Sequence, residues 1–379
     1  MTNLDLKKDD EIVVRGKKSF KEKLKDFWGV KRNRVLVFIG IIIIILAAFA
    51  TGFYFLIYKN DGSTLDLEVK EEESKPELYA SILDGTMVDK DSANRHPLGV
   101  MVENHVDSRP QSGLSSASVV YEAIAEGGIT RFLAVYSPRG AEKVGPVRSA
   151  RTYYVNWIKE LNGYYAHVGG NYDALELIKK IGILDLDQFG SPSAYWRDKS
   201  RNVSSEHTMY TDTNKLYGIA NDKKYTTENT FIPYKFVDEP AIELRAIESQ
   251  IVSINFGNAS YNVVYRYDKA SNSYLRELAG KAHVDAATNQ QIQTKNIVIQ
   301  TVNRRPTVTK INESGWIMDT TGTGKAVIIR DGIKVDGTWK KDNDNSRTRF
   351  FDAAGTEVNF NRGTTWIEVL SPDLTYTIQ

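Results

Sequence analysis

The sequence predicts one membrane-spanning helix followed by a folded region that mixes helices and strands, with the helices in its first part and short strands in its smaller second part. Three observations carry this expectation. The run from Val35 to Ile57 is 23 residues without a charge. At about 1.5 Å per residue such a helix reaches roughly 35 Å, enough to cross a bilayer with some tilt. Between Gly145 and Gly182, glycine turns alternate with strand-like runs and with apolar residues at helical spacing. From about Glu239 onward, Ile251 to Phe256, Asn262 to Tyr267, Asn296 to Val302, Ala326 to Arg330 and Thr365 to Leu370 read as short β-rich runs between turn residues.

Composition narrows the class. A chain of 379 residues with 41% hydrophobic content suffices for one large or two ordinary domains. The net charge of +1 is uneven: the first 34 residues hold eleven Lys/Arg against six Asp/Glu, which leaves the remainder at −4. That remainder has no general nucleic-acid-binding character. Cysteine is absent, which excludes disulfides, thiolate catalysis, thiolate metal sites and an acylated-cysteine anchor.

Lys31, Arg32 and Arg34 precede the apolar run, and Asp61, Asp66, Glu68 and Glu71-Glu72-Glu73 follow it. The positive-inside rule therefore places the N-terminus in the cytoplasm and the bulk of the chain outside a single-pass membrane protein. A cleaved signal peptide is the rival reading, because Ala48-Phe49-Ala50 has the form of a cleavage site. The long n-region and the continuing run Phe53 to Ile57 argue against it. Phe20, Leu24, Phe27 and Trp28 space out as one face of a basic amphipathic helix. The expected organisation is a basic tail over 1–34, a transmembrane helix over 35–58, an acidic stalk over 59–82, an α+β domain over 83–238 and a β-rich domain over 239–379.

Within the first domain, Leu98 to Glu103 reads as a strand, and Val119 to Ala125 with Ile129 to Tyr136 as a hairpin closed by Gly127-Gly128. With that two-residue loop, Arg131 faces Ile124 and has Glu122 and Glu126 as diagonal neighbours on one sheet face. Next, Tyr154, Ile158 and Leu161 recur at helical spacing, and Ser149 is the expected cap. Arg148 and Arg151 then sit at the positive end of a helix, where cations are disfavoured. Either an anion binds there, or the two arginines pair with Glu122 or Glu126. Tyr164 to Val168 is a second strand, and Asn171 is placed to cap the helix after it. His167, near that strand's carboxyl end, is either a structural histidine or a proton carrier. Trp196, Arg197, Lys199 and Arg201 mix a ring with cations, as a sugar-phosphate contact or an ion-paired loop would, and His207 follows. Gly322-Thr323-Gly324-Lys325 lacks the spacing and hydroxyl of a phosphate loop and is expected to be a turn. The five histidines show no HExxH or paired i, i+4 arrangement, and His105 with Asp107 and His283 with Asp285 are weak pairs, so neither a metal nor a cofactor is expected.

The phrases Asn94-Arg95-His96-Pro97-Leu98, Glu103-Asn104-His105, Arg109 to Leu114, Gly127 to Phe132, Val144 to Arg151 and Trp196 to Arg201 resemble the YerB-like family, domain of unknown function 3048. The resemblance continues through His283-Val284-Asp285, Gly337 to Lys341 and Thr365 to Glu368. It implies an α+β fold with a smaller β-rich C-terminal part, on a protein anchored to the outer face of a bacterial cell. No activity is established for that family, and the lipobox cysteine common in it is absent here. A remoter likeness is to LytR-CpsA-Psr transferases, in which arginines grip a polyprenyl pyrophosphate as Arg148 and Arg151 would. Thr130 and Ser149 stand where that family has metal-binding aspartates. The first functional expectation is a binding or scaffolding module for anionic cell-envelope polymers or envelope proteins. The second is an enzyme on a phosphate-containing substrate, with Arg131, Arg148 and Arg151 stabilising charge and Glu122 or His167 moving a proton. In the third, the charges are internal ion pairs.

Overall fold

The computed structural model describes residues 4–6, 12–14, 19–58, 76–245 and 249–379. It divides into two compact units, Met1–Lys75 and Pro76–Gln379. In the first unit, Ser19 caps the helix Phe20–Gly29, with Glu22 reaching back to the Ser19 N–H in a capping box. The second helix, Lys31–Tyr58, contains an 18-residue stretch of mean hydropathy 2.9 and is long and apolar enough to cross a membrane. Most of the expected acidic stalk, 59–75, lies outside the described residues.

In the second unit a ten-stranded mixed sheet runs, in spatial order, Arg349–Asp352, Ile333–Lys341, Gly322–Arg330, Asn296–Thr301, Thr365–Leu370, Val119–Ile124, Thr130–Tyr136, Leu98–Glu103, Tyr164–Ala166 and Leu184–Asp185. Five neighbouring strands come from each side of the boundary expected near residues 238 and 239, so that boundary is not a break in the packing. The two sets join where Thr365–Leu370 lies parallel to Val119–Ile124, with Glu368 in register with Glu122.

Side-chain alternation sends successive residues to opposite faces, and both faces are covered. On one face Tyr121, Ala123, Leu133 and Val298 pack against Tyr154, Trp157 and Ile158 of the helix Thr152–Lys159 and Ile178 of the helix Tyr172–Lys180. On the other, Val100, Phe132, Ile299 and Trp366 meet Leu216 of the helix Thr213–Asp222 and Val252, Tyr265 and Tyr274 of a six-stranded antiparallel sheet. This coverage explains why all six residues of Val119–Ile124 are buried, although glutamate is among them.

Four sequence expectations shift. The hairpin loop has three residues: Ala125 N–H donates to the Ile129 carbonyl at 2.7 Å, and Arg131 pairs with Ala123. The one-residue slip turns Glu122 to the face opposite Arg131 and breaks the expected acid–base–acid row. Arg151, not Ser149, occupies the cap position of the helix Thr152–Lys159. Gly322 to Lys325 opens a strand and is no turn; a Cβ on Gly324 would meet Trp339 Nε1 at 2.4 Å and the Thr301 carbonyl at 2.8 Å. By contrast, Asn171 caps its helix as expected, its side chain accepting from Ala174 N–H at 3.2 Å, and Asp331-Gly332 closes its hairpin with both residues at positive φ.

Candidate functional site

Leu98–Glu103, Val119–Ile124, Tyr164–Ala166 and Thr365–Leu370 are mutually parallel through their ladders. Their carboxyl ends share one edge of the sheet, the end at which open α/β sheets bind ligands. The predicted site residues lie at or near this end, but they fall into separate groups.

Arg131 and Arg151 converge on Glu126. Arg131 Nη1 donates to the Ser149 carbonyl at 2.7 Å, and its Nη2 lies 3.6 Å from Glu126 Oε2. Arg151 Nε hydrogen-bonds Glu126 Oε1, and its Nη1 donates to the Ala150 carbonyl at 2.6 Å. Burial raises the Glu126 carboxyl, but the Arg151 hydrogen bond and the two guanidinium charges outweigh burial and hold it below its ordinary value. The conflict of cations at a helix start is thus resolved by a loop glutamate.

Arg148 points elsewhere and bridges two acids, Nε to Glu103 Oε1 at 3.0 Å and Nη2 to Glu206 Oε2 at 2.9 Å. The other Glu103 oxygen accepts from His207 Nδ1 at 2.8 Å, and the His207 ring stacks on His105 at 4.7 Å and 6°. Arg201 is spent on structure: it donates to Tyr210 Oη at 2.6 Å and to the Asp107, Arg109 and Pro110 carbonyls.

The hairpin formed by Tyr195–Arg197 and Met209–Thr211 makes a third group. Trp196 stacks on Tyr210 at 6.5 Å, the Lys215 ammonium lies 4.9 Å over Trp196, and Lys143 lies 4.5 Å over Tyr210. Arg197, Lys199 and Lys215 are exposed. Lys143 pairs with Asp198 at 2.6 Å, whereas Arg197, Lys199 and Lys215 have no carboxylate within ion-pair distance among the described residues.

Two predicted residues are interior. His167 is buried, with Nδ1 at 2.8 Å from the Gly169 carbonyl and Nε2 at 3.0 Å from Asp185. Glu122 is fully buried between the two sheets, where it hydrogen-bonds Arg276 and accepts from Thr130 Oγ1 at 2.6 Å and Asn104 Nδ2 at 3.3 Å. Beside it, burial and then the Glu122 charge push the Glu368 carboxyl well above its ordinary range, and Tyr265 Oη donates to it. Arg276, also without exposure, lies 4.3 Å over Trp366. The network runs on to the surface: Asn104 Oδ1 accepts from Gln111 Nε2 at 2.9 Å and from the half-buried Arg109 at 3.1 Å. Gln111 also contacts buried His283 at 3.0 Å. Burial drives His283 well below its ordinary value. Sequence reading assigned no role to Arg276, Glu368, Glu103 or Glu206, since pairing across such separations leaves no local pattern. The arginines of the helix start and Glu122 point to opposite faces of the sheet, so the catalytic grouping expected for phosphate chemistry is not assembled. Two surface grooves, of about 880 Å³ beside Trp339 and about 450 Å³ beside Trp316, include neither Arg148 nor Trp196.

The described residues combine an apolar helix long enough to cross a bilayer with an α+β unit of two packed sheets. The chain belongs to the family of proteins of unknown function DUF3048, whose N-terminal domain matches residues 83–226 and whose C-terminal domain matches residues 252–367. It is 33% identical over 301 residues to YerB of Bacillus subtilis (strain 168), a protein to which a lipoprotein nature is ascribed; the match spans 77% of this chain and 86% of YerB. The crystal structure of the YerB protein from Bacillus subtilis matches with a TM-score of 0.70 at 28% identity, over 79% of this chain and 99% of that one.

Proposed function

We propose that the protein is an extracytoplasmic binding module, held by its N-terminal helix with the N-terminus in the cytoplasm, that grips an anionic cell-envelope polymer through the Trp196–Arg201 segment. One observation carries this reading: Arg197, Lys199 and Lys215 stand exposed around Trp196 without carboxylate partners, while Arg131, Arg148 and Arg151 are neutralised by Glu126, Glu103 and Glu206. Cations that no carboxylate neutralises, Arg197 steadied by its hydrogen bond to the Ser205 carbonyl, stand beside a half-buried indole and offer charge to phosphates and a flat face to sugar rings. The excess of Lys and Arg before the apolar helix supports the orientation.

The test is co-sedimentation of the Pro76–Gln379 unit with purified anionic wall polymer at two salt concentrations. Saturable binding that weakens at higher salt is expected. The triple variant Arg197→Ala/Lys199→Ala/Lys215→Ala should lose at least about tenfold in affinity, equivalent to about 1.4 kcal/mol, and Arg148→Ala should bind as the parent does. Undiminished binding by the triple variant, or none by the parent, overturns the reading.

A further inference from the structure

We propose that His105, Asp107, His207 and Glu206 form a site for one divalent transition-metal ion of the zinc class. Sequence spacing did not bring these residues together. The turn after Leu98–Glu103 supplies His105 and Asp107, and the loop before Met209–Thr211 supplies Glu206 and His207. In the fold, donor atoms of His105, Asp107 and His207 lie within 4.8 Å of one another.

The hydrogen bonding fixes what each group can offer. His207 Nδ1 lies 2.8 Å from Glu103 Oε2, so its proton is directed to that carboxylate and the Nε2 lone pair faces outward. That lone pair stands 3.7 Å from Glu206 Oε1. At His105 the Nδ1 accepts from the Asp107 N–H at 3.3 Å and lies 3.6 Å from Asp107 Oδ2, so its lone pair exchanges that long backbone bond for the ion. Each imidazole thus has a carboxylate oxygen at a separation too long for a hydrogen bond. Bonds of about 2.1 Å in a tetrahedral zinc site hold neighbouring donors about 3.4 Å apart, so these separations are close to the edges of such a tetrahedron.

The surroundings resemble the outer shell of a metal site. Glu103 orients His207, Arg148 holds both Glu103 and the Glu206 oxygen that does not face the imidazole, and Arg201 clamps the Asp107 and Arg109 carbonyls. Two imidazoles with carboxylate oxygens select zinc-like ions over magnesium or calcium, which take oxygen donors. Side-chain exposures of 57% at Asp107 and 52% at Glu206 leave the site open to solvent and let both carboxylates close on an ion.

The experiment uses the full chain in detergent, stripped with a chelator and titrated with zinc against a chromogenic chelator. One ion per chain is expected. Asp107→Asn and His207→Gln should each weaken binding at least about tenfold, and Glu103→Gln about 10–100-fold by releasing His207 from its orientation. Cobalt in place of zinc should give the visible absorption of a tetrahedral site, lost in the same variants. Asp107 is exposed, so the unfolding temperature of metal-free Asp107→Asn should equal that of the metal-free parent, which separates ligand loss from misfolding. Zinc binding unaltered in Asp107→Asn and His207→Gln, no saturable binding by the parent, or preference for magnesium overturns the proposal.

Discussion

Arg276 is the cation on which the interior between the two sheets depends, and Arg276→Met tests that dependence. Arg276, Glu122 and Glu368 have no exposed side-chain surface, and the Arg276–Glu122 hydrogen bond is the direct contact between opposite charges among them, while burial and the Glu122 charge push the Glu368 carboxyl well above its ordinary range. Methionine fills much of the volume but leaves Glu122 as an uncompensated buried charge. Removing one partner of a buried pair costs roughly 3–5 kcal/mol. Urea denaturation of the Pro76–Gln379 unit at pH 7 is the assay, and Glu122→Gln in the same background should recover most of the penalty. A penalty below about 1 kcal/mol, or no recovery in the double variant, would refute the assignment.

Three further outcomes follow from the packing. Glu126 has a depressed folded value, so its contribution is present above the ordinary carboxylate range and fades as pH falls through the folded value; Glu126→Gln should lower stability at neutral pH and lose that difference in acid, read from unfolding midpoints across pH. Gly324→Ala places a Cβ against the Trp339 indole and the Thr301 carbonyl and should cost about 1–3 kcal/mol in chemical denaturation. Chains ending at residue 238 or beginning at residue 239 should each give poorly dispersed NMR spectra, because each half leaves a central strand of the ten-stranded sheet unpaired.

What the sequence revealed was what neighbours in the chain decide. The apolar helix, the Asn171 cap and most strands follow from residues within a few positions of one another. Strand order does not: Val119 pairs with Thr365, and no local preference encodes a partner so far away. The site was misread for the same reason at smaller scale. A hairpin loop of three residues in place of two turned Glu122 to the other face, and its cation, Arg276, is 154 residues distant. An acid alternating with apolar residues reads as a solvated face until the second sheet covers it. Arg148 and Arg151 were recognised as cations needing anions, but their carboxylates, Glu103, Glu206 and Glu126, come from three separate connections that meet only in the fold.

The lodging of Thr365–Leu370 between Asn296–Thr301 and Val119–Ile124 gives synthesis a definite last step. When the first half of the sheet has been made, as far as Asp185, the strand that closes its open flank still begins 180 residues further on, at Thr365. Until those final residues arrive, Glu122 lacks its cover and Val119–Ile124 offers a bare row of amides and carbonyls to any strand it meets. The sheet is therefore complete only once Thr365–Leu370 has been made, and a truncation that removes this strand takes out a keystone and not a tail.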